Sequence, residues 1–363
     1  MTERRHPSTF GDPWCMAASL ALAATLAAPA LAGRPQLKVS QLSVTQGCNN
    51  GGNFYPSIDT TGKTVAFTST CDLVAGGNAD GNGDLFFMNA DGTGLRQLTA
   101  TVGGIGVFNT SLSPRGQRIV FASDRDLVPG GNVDGNQELF VIDVNGAGLR
   151  QLTHTTGGNP VCGFGSAHPR FDPSGQKITF DSDRDLVPGE NADGNDELFL
   201  MNADGTGIQQ LTNTTGNCGC GEGSLDDTGT HVLFDSDHDL IPGQNADQNN
   251  ELFKMNLDGS DLVQLTSTVN PAGVGSVAPW WTPDTKTIVF RGDGADGVTY
   301  QLFRMNGDGT NLVQVTYGPG AFASAPWGIT RDGSTIPVES DADLVPGSNG
   351  DLDFEIYLLK LRP

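Results

Sequence analysis

Basic residues are scarce in this chain. Its 363 residues carry 20 Lys and Arg against 42 Asp and Glu, a formal charge of −22. Such a surface is repelled by phosphate backbones, which excludes charge-driven binding of nucleic acid and a basic patch for anionic lipid. Aromatic residues make up only 7% and hydrophobic residues 37%. That is thin for one massive core, but ordinary for many small strands separated by turns. No run beyond residue 32 is long and apolar enough to span a bilayer. No Gly-x-Ser-x-Gly elbow occurs, so a hydrolase triad of that type lacks its nucleophile. Glycine is the residue in excess, with 50 copies, about twice the ~7% of ordinary globular chains. The composition points to a soluble, exported, all-β protein.

Residues 1–32 read as a secretory signal: Arg4 and Arg5, an alanine-rich apolar stretch from Met16, and Ala30-Leu31-Ala32 before Gly33 as a small-residue cleavage site. The expected domains are therefore a signal peptide, 1–32, and a single repeat domain, 33–363, in the periplasm or outside the cell. Five cysteines remain after Ala32, and in an exported chain they suggest disulfides with one thiol left over. By position in the repeats, Cys48 is expected to pair with Cys71, and Cys162 with either Cys218 or Cys220.

Internal repetition dominates the rest. A turn such as Asp172-Pro173-Ser174-Gly175 precedes a strand ending in Phe: Thr64–Phe67, Arg118–Phe121, Lys177–Phe180, His231–Phe234, Thr287–Phe290. A long loop leads to a third strand, such as Leu198–Asn202. An Asn-x-Asp-Gly turn then leads to a fourth, such as Ile208–Thr212. The unit occurs six times and the last copy stops after its third strand. Val39–Ser43 matches the missing fourth strand in type and spacing. The expected fold is an all-β, six-bladed β-propeller of four-stranded antiparallel blades, closed by an N-terminal strand that completes the last blade.

The run Asp172–Arg184, and the run Glu197–Gly205 continuing to Leu211-Thr212, resemble the repeat of TolB-type (WD-repeat-like) propellers. The resemblance extends over nearly all of the chain after residue 32. It implies a six-bladed propeller that binds protein partners at the bacterial cell envelope. TolB itself carries an α/β domain before its propeller, for which there is no room between Gly33 and the first blade. A direct role in the Tol–Pal system is therefore not implied.

The long loop is the departure from the simplest repeat. Oxygen-bearing side chains recur there at alternate positions: Asp80, Asn82 and Asp84; Asp134, Asn136 and Glu138; Asp193, Asn195 and Glu197; Asp247, Asn249 and Glu251; Asp351, Asp353 and Glu355. Such spacing can point several hard oxygens at one calcium ion. The same residues also suit a purely structural turn, in which the acid bonds backbone at the head of a strand. Unit five is a natural control, with Gly297 and Thr299 in place of the oxygen ligands.

Among other candidates, Trp280 and Trp327 fall in first strands, which line a propeller's channel, and are expected to form an apolar contact patch for a partner. Trp281 shares the phase of Ile58, Leu112 and Phe171 and is expected in the core. His168, His231 and His238 are scattered over different repeat positions. The leading functional reading is a non-catalytic, monomeric binding or scaffold propeller with an envelope or extracellular protein as partner. The alternatives are a calcium-stabilised scaffold that binds glycans, and a propeller enzyme of lyase or lactonase type. The enzyme reading requires histidines and carboxylates to converge on the channel, for which the first strands offer mainly Asp59, His168, Asp172 and Asp226.

Overall fold

The computed structural model describes residues 37–361 apart from 44, 46–47, 49–50, 158–164, 217–218, 270–274, 283, 294–299, 317–325, 342 and 351–352. The signal segment, Cys162, Cys218, Gly297, Thr299 and Asp351 lie outside the described residues.

Among the described residues, twenty-three strands form six sheets. The chain opens with β1 (Leu37–Gln41). Blade one is β2 (Asn53–Ile58), β3 (Thr64–Ser69), β4 (Asp84–Asn89) and β5 (Arg96–Gln97). Blade two is β6 (Val107–Leu112), β7 (Arg118–Ser123), β8 (Glu138–Asp143) and β9 (Arg150–Gln151). Blade three is β10 (Ser166–Phe171), β11 (Lys177–Ser182), β12 (Glu197–Asn202) and β13 (Gln209–Gln210). Blade four is β14 (Cys220–Leu225), β15 (His231–Ser236), β16 (Glu251–Asn256) and β17 (Val263–Gln264). Blade five is β18 (Ser276–Trp281), β19 (Thr287–Asp293), β20 (Tyr300–Asn306) and β21 (Val313–Gln314). The last sheet has β22 (Thr335–Ser340) and β23 (Glu355–Leu361), with β1 antiparallel to β23 from Leu37↔Leu361 to Gln41↔Tyr357. The expected closure by the N-terminal strand is therefore present.

Two details differ from expectation. The fourth strands of blades one to five pair over only two residues each, whereas β1 pairs with β23 over five. The sixth sheet has three paired strands among the described residues. Residues 326–330 precede its second strand, and Thr330 N–H donates to Thr335 O at 3.0 Å, as Asp59 N–H does to Thr64 O in blade one.

Each blade is built by the same local chemistry. In the first turn a side-chain oxygen receives the backbone N–H groups that start the second strand, a carboxylate in blades one, three and four and a hydroxyl (Ser113, Thr282, Thr330) in the others. Asp59 takes Lys63 and Thr64, and Asp172 takes Gln176 and Lys177, all at 2.8 Å. Asp59, Asp172 and Asp226 are thus turn caps rather than channel acids. The core repeats too. A Phe of the second strand stacks on a Phe of the third: Phe67 on Phe86, Phe121 on Phe140, Phe180 on Phe199, Phe234 on Phe253 and Phe290 on Phe303, with ring centroids 5.5–5.8 Å apart. Val338 opposite Tyr357 fills that place in the sixth sheet. Trp281 is buried with Leu233, Ile288 and Phe290, in the core as expected.

Antiparallel order puts the second-to-third loops and the blade-to-blade loops on one face. Parallel bridges there stitch neighbouring blades, Gly83 to Gly106 and Gln137 to Gly165. The ring seam lies on this face. Glu355, at the head of β23, accepts Thr45 N–H and Oγ1, Ser43 Oγ and Asn53 Nδ2. A disulfide joins Cys48, between β1 and β2, to Cys71 just after β3. The Cys48–Cys71 pairing is as expected. Cys220 is a free, buried thiol whose Sγ lies 3.3 Å from Ser236 Oγ, so it is not the partner of Cys162.

Candidate functional site at the channel mouth

The first strand of blades one to five carries the same irregularity. The ladder to the second strand skips, for example between Ala167 and Arg170, which marks a bulge. At the bulge sits a non-glycine residue with left-handed backbone: Tyr55 (φ 52°), Asn109 (49°), His168 (45°), Glu222 (49°) and Ala278 (54°). Side chains seldom tolerate that region, and five copies at one position make it a feature of the fold. Just beyond each bulge, the second strand's penultimate ladder position adds Thr68, Ala122, Asp181, Asp235, Arg291 and Glu339. The first five pair with the residue just before their blade's bulge, or at the equivalent register. These two rings meet at the loop-bearing end of the channel.

Blades three to six fill that end with charge. Arg170 is 2% exposed, and its Nη2 donates to Glu222 Oε2 at 2.7 Å. Its Nη1 donates to the carbonyls of Glu222 and Pro279, and its guanidinium lies 4.6 Å over the Trp280 ring. One arginine of blade three therefore ties blades four and five together. His168 Nδ1 is 3.0 Å from Asp181 Oδ1, and its Nε2 is 3.7 Å from Glu222 Oε1. Asp235 receives the Ala278 N–H at 3.3 Å. Glu339 accepts the Tyr55 N–H, and Arg291, whose guanidinium lies 4.6 Å over Tyr300, pulls on it electrostatically.

Burial holds Glu339 and Asp235 above their ordinary range. It pushes the Glu339 carboxyl up to about 7 against the pull of Tyr55 N–H and Arg291. Burial, and then the neighbouring Glu222 carboxylate, raise Asp235 well above the usual carboxylate value. Two guanidinium groups face four carboxylates, so protons are retained where cations run short.

Trp327 crosses this end of the channel. Its ring meets Tyr55 of blade one edge-on at 5.0 Å, lies near-parallel to His168 of blade three at 6.5 Å, and packs on Val277 and Ala278 of blade five. Both Trp280 and Trp327 face the channel. Trp327, 6% exposed, sits within it rather than at its rim, and Trp280 lies half-buried under Arg170. His231 and His238 lie elsewhere, each beside an Asp of its own turn or loop.

The long-loop residues occupy a second location. Asp126 receives the N–H groups of Gly130, Gly131 and Asn132 at 2.8–3.0 Å, which shapes the loop. Asp72, Asp185, Asp239 and Asp343 do the same in their blades. Glu138, Glu197, Glu251 and Glu355 are buried, and each accepts a backbone N–H and hydroxyls from the segment after a fourth strand. Asp84 is tied likewise to Thr99 and Thr101. Asp80 is bonded to Asn82, Asp134 receives Gly157 N–H, and Asp193 and Asp247 are exposed. The backbone carbonyl of Asp353 accepts Asn349 Nδ2. Among the described residues, no group of three or more His, Cys, Asp or Glu side chains is arranged to hold a metal ion. No described helix is long and apolar enough to cross a membrane.

A closed ring of six antiparallel blades with a charged channel mouth defines a six-bladed β-propeller. Its fold is that of the TolB propellers. The chain superposes on TolB of Agrobacterium tumefaciens with a TM-score of 0.56 at 15% identity, covering 91% of this chain and 99% of that one. It superposes on TolB of Acinetobacter baumannii with a TM-score of 0.52 at 15% identity, covering 83% of this chain and 64% of that one. A puromycin hydrolase is similar over 83% of this chain and 46% of its own, at 16% identity and a TM-score of 0.50. No protein-family model and no curated relative matches the chain.

Proposed function

We propose that the protein is an exported, non-catalytic binding propeller, acting in the periplasm or outside the cell, which docks a protein partner on its loop-bearing face. The observation that carries this reading is the state of the channel mouth. Its acids and bases are engaged with one another, and Trp327 lies across the axis, so the groups act as a rigid floor for a docked surface. Around that floor stand exposed apolar tips, among them Val102, Val133 and Val269, each more than four-fifths exposed on the loops of this face. Apolar anchors in a polar surround are what a docking surface needs. The TolB likeness of the fold supports a binding role.

Photo-crosslinking residues at Val133 and Val269, compared with one at Ala147 on the opposite face, test this. A specific adduct from the first two alone is expected. Equal adducts from both faces, or none from either, would refute the docking surface.

A second reading, an enzyme with a channel site, is favoured by one observation. His168 is oriented by Asp181 and turns its other nitrogen toward Glu222, an arrangement suited to moving a proton. A turnover of uronate oligosaccharides or lactones that is lost in His168→Gln would support it over the first.

A further inference from the structure

The loop roots of blades two, three and four share a deficit. In blade three, Asn191 Nδ2 donates to Asn195 O at 2.9 Å. Asn195 Nδ2 donates to Thr214 Oγ1 at 2.7 Å, and Thr214 Oγ1 donates to Glu197 Oε1 at 2.7 Å. Each amide nitrogen of this knot donates to a protein oxygen. Three acceptors are not: Asn191 Oδ1, Asn195 Oδ1 and Glu197 Oε2 have no donor among the described residues, although these side chains are at most 2% exposed. Blade two repeats the pattern with Asn132 Oδ1, Asn136 Oδ1 and Glu138 Oε2, and blade four with Asn245 Oδ1 and Asn249 Oδ1. In blade four, Thr266 closes on Glu251 Oε2 and satisfies it.

A buried oxygen without a partner is costly, and a recurring set of them needs a recurring partner. One water molecule brings two donors, and its own lone pairs want donors in return. Three unfilled acceptors beside amide nitrogens that already donate elsewhere match a cation better. The ligands are oxygen only, which selects a hard cation, and calcium accepts irregular amide, carbonyl and carboxylate sets that magnesium does not. We propose that the loop roots of blades two, three and four each bind a calcium ion through Asn132 and Asn136, Asn191 and Asn195, and Asn245 and Asn249. The root carboxylate and loop carbonyls complete the shell. The alternate Asp residues of the loops, Asp134, Asp193 and Asp247, are exposed and are not the anchors. With one root carboxylate per loop, the affinity falls in the weak class of extracellular modules, about 10⁻⁴–10⁻³ M.

The test uses the full chain, stripped with chelator, in equilibrium dialysis and thermal unfolding at constant ionic strength. Calcium at about 10 mM, some ten times the upper end of that affinity class, is expected to bind about three ions per chain and to raise the melting temperature. Magnesium at the same concentration is expected to do neither. Asn195→Leu should lose one ion, and Asn195→Asp, which adds a charge without adding bulk, should bind calcium several-fold more tightly. Binding of fewer than one ion with an unchanged melting temperature would overturn the proposal in favour of buried water. So would an Asn195→Asp variant with unaltered calcium affinity, even if Asn195→Leu fails to fold.

Discussion

Replacing Cys48 and Cys71 by serine tests how the ring is held shut. The bond spans 23 positions of sequence and crosses the seam, because β1 belongs to the last sheet while β3 belongs to the first blade. In the chain-entropy account, a loop of that length restricts the unfolded ensemble by about 3.4 kcal/mol at 25 °C. Beside it, Glu355 collects four hydrogen bonds from Ser43, Thr45 and Asn53, and these survive the substitution. The double variant should therefore keep the native fold at 25 °C and lose about 3 kcal/mol of unfolding free energy. Urea titration followed by tryptophan fluorescence measures this, since Trp280, Trp281 and Trp327 report on the blades next to the seam. Dithiothreitol should lower the wild-type midpoint at least as far as the double substitution does. A loss below about 1 kcal/mol would show that the bond staples a loop that is already ordered in the unfolded chain, and would refute its role as a clasp.

Other outcomes follow from the same geometry. Arg170→Met leaves Glu222 buried without its cation and should cost about 3–5 kcal/mol, of which Glu222→Gln in the same chain should restore a part; a double-mutant cycle in urea measures the coupling. Glu339 and Asp235 are raised acids, so their contribution to stability is complete below the unfolded-state value near 4.5 or 3.8. For Glu339 it is lost as pH rises through about 7. Melting temperatures should accordingly fall between pH 5 and 8, and Glu339→Gln should flatten that slope. Asp72, Asp126, Asp185, Asp239 and Asp343 are lowered by the loop N–H groups they accept, so their contribution is lost only as pH falls below about 3.8. Gly165 has φ +102° and would place a Cβ 2.4 Å from the Gln137 carbonyl oxygen, at the junction of blades two and three. Gly165→Ala should cost at least about 2 kcal/mol, whereas Gly130→Ala, with open space around it, should cost less; paired urea titrations decide.

The architecture is legible in the sequence because each blade writes its own boundary conditions. The Asp-x-x-Gly turns cap the second strands, the Phe of one strand meets the Phe of the next, and the orphan strand at the N-terminus answers the missing one at the C-terminus. The channel is less legible, for a physical reason. Reading each second strand as ending at its Phe leaves Asp181, Asp235, Arg291 and Glu339 in the loops. The ladder runs two residues further and carries them to the axis. A charged residue just after the strand's Phe or Val, followed by Ser at Asp181, Asp235 and Glu339 and by Gly at Arg291, in a position that reads Thr68 and Ala122 in the first two blades, was the available signal. The bulge was hidden for another reason: it is a backbone event, and Tyr55, Asn109, His168, Glu222 and Ala278 have no side-chain property in common.

That lack of common chemistry separates scaffold from function in this molecule. Positions that hold the ring together repeat from blade to blade: the Phe pairs of blades one to five, the capping oxygens of the first turns, the Asn amides of the loop roots. Positions that face the axis at the channel mouth do not repeat. They vary from neutral in blades one and two to charged in blades three to six, on a backbone kept identical by the bulge. The ring tolerates this variation because its blades are already joined by packed cores and by backbone bridges on the loop-bearing face. Contacts across the axis are made by particular residues, His168 to Glu222, Glu339 to Tyr55 and above all Arg170, which spans three blades with one guanidinium. Asn109→Gly, which relieves the left-handed backbone at that position, should therefore leave stability within about 1 kcal/mol of wild type while altering what docks on the face. Substitution at Arg170 should alter both.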